Sequence, residues 1–352
     1  MLAAVLFFPC KAQALSAQCA ILLDAQTGRV LFERNADQRS LIASTTKIMT
    51  ALVVCEQCNV LDRVRIPKEA VGIEGSSMYL REGEVLTVQE LLYGLMLRSG
   101  NDAATALAIY CGGTVEGFAQ LMNDKAHRLN MHGTHIENPH GLDSPGHYST
   151  ARDLGILAAY AMKNPIFAQT VSTKNVTIGQ RSLQNHNKLL WQVEGADGVK
   201  TGYTKAAGRI LVSSAIRQGR RLVAVTVNDP NDWSDHKALL ELGFRDFQVR
   251  TIVEQGQCLG TVAVVGGDAQ AVELIAAQDF SYALAAGEKT QICLPEPGFV
   301  YAPLGCNQFA GYAHILVDGC PVGKIEMRYG QRVEQETAPK KSLWEKIFGK
   351  DR

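Results

Sequence analysis

Three short stretches of this chain hold residue types that do chemistry, at spacings that let them act together. Ser44-Thr45-Thr46-Lys47 places a hydroxyl and an amine three positions apart. On a helix, such residues share a face within contact. A serine attacks a carbonyl only when a base takes its proton, and a lysine with a pKa near 10.4 serves only if depressed by about three units. Burial and a second nearby cation would supply that shift. The second stretch, Ser99-Gly100-Asn101, follows the helical run that ends at Arg98, and the third, Lys200-Thr201-Gly202, follows the Gly195–Gly198 turn at the start of a strand. Lys200 is the natural second cation. Singly, each is weak: by composition an S-x-x-K arises roughly once in a chain of this length. A second one, Ser234 to Lys237, is read as chance. Ser44 alone reads more readily as the N-cap of the helix behind it. Chance does not readily supply all three in this order, each at the end of an element.

The elements that must position them follow from the apolar pattern. ILLDAQTGRVLF, residues 21–32, reads as a β-hairpin around a turn. KIMTALVVCEQ reads as a helix with Ile48, Ala51, Leu52 and Cys55 on one stripe. Thr87 opens another helix with a capping-box Glu90 three residues on, and residues 103–130 continue helically. After the turn-rich ENPHGLDSPGHYS comes a helix from residue 151 that Ser149 or Thr150 would cap. VKTGYT, RILVSSAIR and RRLVAVTVND then read as three strands, and a helix ends near residue 247. Beyond it the short runs TVAVV, ELIAA, QICLP, HILVDG and KIEMRY alternate with Gly, Pro and Asp clusters, the texture of a small β domain over 248–330.

Composition narrows the classes. Of 352 residues, 46% are hydrophobic and 20% charged, with 35 Lys plus Arg against 35 Asp plus Glu, so no basic footprint for nucleic acid is present. The first residues, an apolar run followed by Ala12-Gln13-Ala14, resemble a secretory leader, which makes 1–14 a signal peptide and 15–247 the first mature domain. In residues 331–352 a basic tail places Leu343, Trp344, Ile347 and Phe348 on one helical face, and 340–352 is expected to touch a membrane surface peripherally. Cys55-Glu56-Gln57-Cys58 has no second C-x-x-C, and the eight cysteines after Cys10 read as structural or incidental. His132, His135, His140 and His147 lack an H-E-x-x-H frame and read as loop-ordering, so neither a metal nor an organic cofactor is expected. Val199 separates Gly198 from Lys200, which removes the phosphate-loop reading.

The ordered set S-x-x-K, S-x-N and K-T-G resembles the signature of penicillin-binding proteins and serine β-lactamases. The blocks DAQTGRVLFERNAD, IASTTKIMTALV, SSMYLREGE, ELLYGLMLRSGNDAA, NPHGLD, HYSTARDL and DGVKTGYTKAAGR are similar to the low-molecular-mass D-alanyl-D-alanine carboxypeptidases of that group. The resemblance implies an α+β fold: a β-lactamase/transpeptidase-like domain, an antiparallel sheet flanked by helices, followed by a small all-β domain. It implies that Ser44 forms an acyl-enzyme, Lys47 takes its proton and Ser99, held by Lys200, relays a proton to the leaving amine. Asn101 would bond the substrate backbone, Lys200 and Thr201 the terminal carboxylate. Gly202 would leave room for the substrate, and the N–H groups of Ser44 and Tyr203 would form the oxyanion hole. The implied substrate is a peptidoglycan stem peptide, with β-lactams as covalent inhibitors of an exported enzyme. A DD-endopeptidase, a β-lactamase and a silent peptidoglycan-binding protein are the rivals. The β-lactamase lacks its E-x-x-L-N run, since Ala126 stands where the Glu should be in Ala126-His127-Arg128-Leu129-Asn130. Intact Ser44, Lys47, Ser99 and Lys200 argue against the silent form.

Overall fold

The first hairpin pairs β1 (Cys19–Asp24) with β2 (Val30–Arg34), and the Asp24 carboxylate takes the N–H groups of Gln26 and Thr27 in the turn between them. The computed structural model describes residues 15–296 and 298–336; the leader expected at 1–14 and the membrane contact expected of 340–352 lie outside the described residues. The chain divides at Phe247 into two compact units.

In the first unit a one-turn 3-10 helix, Ala43–Thr46, leads into α1 (Lys47–Gln57). Residues Lys47 to Val54 are all buried, so α1 is a core helix on every side and not the one-faced helix its stripe suggested. A small hairpin of β3 (Arg63–Arg65) and β4 (Val85–Thr87) precedes α2 (Val88–Leu97). The expected capping box is in place: Thr87 Oγ1 accepts from Glu90 N, and the Glu90 carboxylate accepts from Thr87 N. The long helix expected over 103–130 is two, α3 (Asn101–Gly112) and α4 (Val115–Arg128). It breaks because Gly113 adopts φ +75° and Thr114 caps the new start, its hydroxyl accepting from Gly117 N. Thr150, not Ser149, caps α5 (Ala151–Ala161). Next come α6 (Pro165–Ser172), a hairpin of β5 (Asn175–Ile178) and β6 (Arg181–Gln184), and the single turn α7 (Leu189–Gln192). The unit closes with β7 (Ala196–Thr204), β8 (Gly208–Arg217), β9 (Arg220–Val227) and α8 (Asp232–Asp246).

The five strands form one antiparallel sheet in the order β2-β1-β9-β8-β7, which leaves β7 on an edge. Alternate residues face opposite sides. Ile21, Leu23, Val212, Val223 and Val225 join the large core shared with α1 to α6, while Leu22, Leu211, Leu222 and Ala224 pack with Leu239 and Leu240 of α8. Because both faces are covered, these strands read as continuous apolar runs.

The second unit is all β. β10 (Phe247–Val253) pairs with β13 (Phe280–Ala285). A six-stranded sheet joins β11 (Cys258–Val265), β12 (Ala271–Ala276), β14 (Thr290–Cys293), β15 (Phe299–Tyr301), β16 (Phe309–Val317) and β17 (Cys320–Tyr329) in the order β14-β16-β17-β12-β11-β15. The five apolar runs noted in the sequence fall in β11, β12, β14, β16 and β17, and isolated bridges to Val333 and Gln335 extend the pairing past residue 330. The α+β class and the two architectures are those the resemblance implied.

Candidate active site

The turn that carries Ser44 is pinned by its neighbours. Thr45 Oγ1 donates to Ile42 O at 2.5 Å, and Thr46 Oγ1 donates to Ala43 O at 2.8 Å. His147 Nε2 lies 2.8 Å from the same Thr46 hydroxyl. Both threonines are buried, whereas Ser44 is half-exposed and makes no capping bond at either helix start. The N-cap reading of Ser44 is therefore corrected: its hydroxyl is left for Lys47, whose Nζ stands 3.0 Å from Ser44 Oγ.

Lys47 is fully buried. Its Nζ also donates to Asn101 Oδ1 at 2.7 Å and to the His140 carbonyl at 2.6 Å. The last two partners accept only; the serine hydroxyl alone can also donate. As an ammonium Lys47 donates to all three oxygens; as a neutral amine, with two N–H bonds and one lone pair, it keeps its N–H bonds for Asn101 and His140 and turns the lone pair to Ser44. Burial first, and then the nearby Lys200 ammonium, hold the Lys47 amine well below the usual lysine range, against the pull of the Asp102 carboxylate.

Asn101 reaches Lys47 because α3 begins there. Its Nδ2 donates to Glu74 O at 2.5 Å, so this carboxamide is committed within the protein at both ends. Asp102, buried beside it, accepts from Ser77 Oγ and from the N–H groups of Met78, Leu80 and Ala103, which ties the 77–80 loop to the start of α3. Ser99 occupies the junction of α2 and α3 with φ +61°, a left-handed backbone that glycine usually supplies. No hydrogen bond links Ser99 to Lys200 among the described residues; Lys200 Nζ donates to Thr201 O at 2.9 Å. Burial lowers Lys200 to about 7.

Edge strand β7 runs past the Ser44 turn. A Cβ built on Gly202 would stand 3.2 Å from Ile42 O and Thr45 N and 3.3 Å from Ser44 N. The glycine thus eases the close approach of strand and nucleophile turn, a reason additional to the substrate room expected for it. Gly141, at φ +85°, meets the other side of that turn: a side chain there would collide with Ala43 O. Ser44, Ser99, Thr201, Gly202 and Tyr203 line one cleft of about 410 Å³, with Ser76, His186, Arg209 and Trp233 around it. Arg209 is held by a bidentate ion pair with Asp232, at 2.9 Å from Nη2 to each oxygen, and lies over the Trp233 ring. Burial, then Lys200 and Arg98, push His186 down to about 4.

The turn-rich segment forms a wall through its backbone. Pro139 O accepts from Thr50 Oγ1 at 2.6 Å, next to the His140 carbonyl that receives Lys47. The histidines order it: Glu137 N donates to His147 Nδ1, Leu142 N donates to His140 Nδ1, and His135 Nδ1 lies 2.6 Å from Gly146 O. Among the described residues no group of three or more His, Cys, Asp or Glu side chains is placed to hold a metal ion. Sequence reasoning missed Asp102, His186, Arg209, Asp232 and the His140 carbonyl. Asp102 had a signal, a carboxylate in the first turn of a helix; the others had none.

Comparison with known proteins identifies the family. The family model for D-alanyl-D-alanine carboxypeptidase matches residues 8–231, and that for the penicillin-binding protein 5 C-terminal domain matches 247–335. The chain is 33% identical over 321 residues to the D-alanyl-D-alanine carboxypeptidase DacF of Bacillus subtilis, covering 86% of this chain and 82% of that one. It is 34% identical over 345 residues to DacC of Escherichia coli, covering 92% and 86%. Among solved structures, penicillin binding protein 5 of Haemophilus influenzae superposes with a TM-score of 0.81 at 31% identity, covering 92% of this chain and 99% of that one. The chain belongs to the D-alanyl-D-alanine carboxypeptidase family of serine peptidases.

Proposed function

We propose that the chain is an exported enzyme that removes the terminal D-alanine from peptidoglycan stem pentapeptides through an acyl-enzyme on Ser44. The observation that carries this reading is the Lys47 amine: two obligate acceptors at 2.7 and 2.6 Å leave its lone pair toward Ser44 Oγ at 3.0 Å. The substrate lies as an added strand along the free edge of β7. Ser44 Oγ attacks the penultimate carbonyl while Lys47 takes the hydroxyl proton. The Ser44 and Tyr203 N–H groups receive the oxyanion, and the Ser99 hydroxyl passes a proton to the leaving D-alanine nitrogen. Water then cleaves the ester. Lys200 and Thr201 take the terminal carboxylate, and Arg209 adds a guanidinium to that end. Asn101 acts first on Lys47; one amide N–H remains for the substrate backbone. β-Lactams present a ring-strained amide carbonyl in the place of the scissile one and acylate Ser44. Export follows from cleavage after Ala14, and residues 340–352 hold the enzyme at a membrane surface. The test is release of free D-alanine from a pentapeptide: stoichiometric tetrapeptide supports the reading, and an intact pentapeptide with active-site titration complete contradicts it.

A further inference from the structure

The loop 76–81 has the catalytic cleft on one side and a larger groove on the other. Ser76 lines the cleft, whereas Tyr79 and Arg81 line a groove of about 910 Å³ walled by the β3–β4 and β5–β6 hairpins. Tyr79 stands at φ +59° and is 78% exposed. A left-handed backbone is unfavourable for tyrosine and persists only where the surroundings impose it. They do so here. Met78 and Leu80 on either side are buried, with their N–H groups on the Asp102 carboxylate. Tyr79 N donates to Ser77 Oγ at 2.8 Å, and Arg181 Nη2 donates to Tyr79 O at 3.0 Å. Glu84 in turn clamps Arg181 at 2.6 and 2.8 Å. A rigid mount therefore holds an aromatic ring out in solvent.

The charges around it divide into used and free. Glu84 is spent on Arg181, and Glu90 on the Thr87 cap. Arg63, Arg81 and Glu82 also line the groove, and none has a hydrogen-bonded side-chain partner among the described residues. Arg81 shares the field of Glu84, helping Arg181 to hold that carboxyl low, but makes no contact ion pair with it. An aromatic face and two exposed guanidinium groups, Arg63 and Arg81, therefore stand against the Glu82 carboxylate. An exposed aromatic face suits the C–H face of a sugar ring, and free guanidinium groups suit carboxylates.

We propose that this groove binds the part of the polymer beyond the scissile peptide, with a sugar ring on Tyr79 and carboxylates of the same chain on Arg63 and Arg81. The proposal rests on the peptidoglycan reading above. The test compares D-alanine release from a free pentapeptide and from glycan chains carrying that pentapeptide. Wild type, Tyr79→Ala and the double variant Arg63→Ser/Arg81→Ser are compared. Free-peptide kcat/KM and penicillin acylation stay within about twofold in both variants, while polymer kcat/KM falls about tenfold in each. Raising salt from about 0.05 to 0.5 M erodes the polymer preference of wild type but not that of the double variant. Equal losses on both substrates, or no loss on the polymer, overturn the proposal. Co-sedimentation with insoluble peptidoglycan reads the groove without turnover. Variants retained as well as wild type would overturn the proposal, whereas a wild type that binds polymer but releases no D-alanine would overturn the carboxypeptidase reading alone.

Discussion

Replacing Asn101 by Asp keeps the shape of the side chain and puts a charge 2.7 Å from Lys47 Nζ. At an effective dielectric of about 20, Coulomb's law gives roughly 6 kcal/mol for a full pair at that distance. Desolvation of the new carboxylate offsets much of it, and an opposite charge in contact typically moves a pKa by about 1–3 units. The direction is fixed: the carboxylate favours the charged amine and raises the Lys47 pKa. Since the base is the neutral amine, acylation by a fluorescent penicillin at pH 7 falls by about 10- to 1000-fold. The deficit shrinks about tenfold per pH unit as pH rises toward the new pKa, because the neutral fraction recovers. Asn101→Ala is the control. It loses the bonds to Lys47 and to Glu74 O without adding charge, so its profile drops without sliding to higher pH. The measurement is the second-order acylation rate from pH 6 to about 10 for the three proteins. An Asn101→Asp deficit that is constant with pH, or that matches Asn101→Ala throughout, would refute the assignment of Lys47 as the base.

Two further outcomes follow from single contacts. In Gly202→Ala the added methyl sits 3.2 Å from Ile42 O and 3.3 Å from Ser44 N, so the nucleophile turn must yield by a few tenths of an ångström. Acylation slows about tenfold or more while unfolding free energy changes by less than about 1 kcal/mol, and an unchanged acylation rate contradicts the close-approach account. Asp102→Asn turns an amide N–H toward a carboxylate site that receives Ser77 Oγ and three backbone N–H groups. Urea unfolding is expected to show a loss of about 2–4 kcal/mol, and a loss under about 0.5 kcal/mol would mean the loop is anchored elsewhere.

What the sequence made legible was whatever depends on local pattern. Thr87 and Glu90 announce the start of α2 because a capping box is a contact between residues three apart. The β1–β2 hairpin and the β7–β8–β9 meander are read from apolar runs and the turns between them. The edges of that legibility are physical. Ser44 looks like a cap because cap and nucleophile share one address; the difference lies in Thr45 and Thr46, whose hydroxyls take over the turn. Asn101 reads from the sequence as a substrate ligand alone; only when α3 is docked beside α1 does its Oδ1 meet Lys47 as well. The His140 carbonyl is invisible in any list of side chains, since every residue carries one. Gly202 was noticed, but its neighbour is the turn about 160 residues earlier in the chain, and only packing reveals that. The same holds for Arg209 and Asp232, on different elements and joined by a bidentate pair at the mouth of the cleft.

The most direct test of the whole account is to trap the covalent intermediate. The full chain is treated with penicillin, digested, and the modified peptide sequenced by mass spectrometry. One penicilloyl group on Ser44, absent from Ser44→Ala and slow to form in Lys47→Ala, is the predicted result. An adduct on another residue, or one that persists in Ser44→Ala, would contradict it.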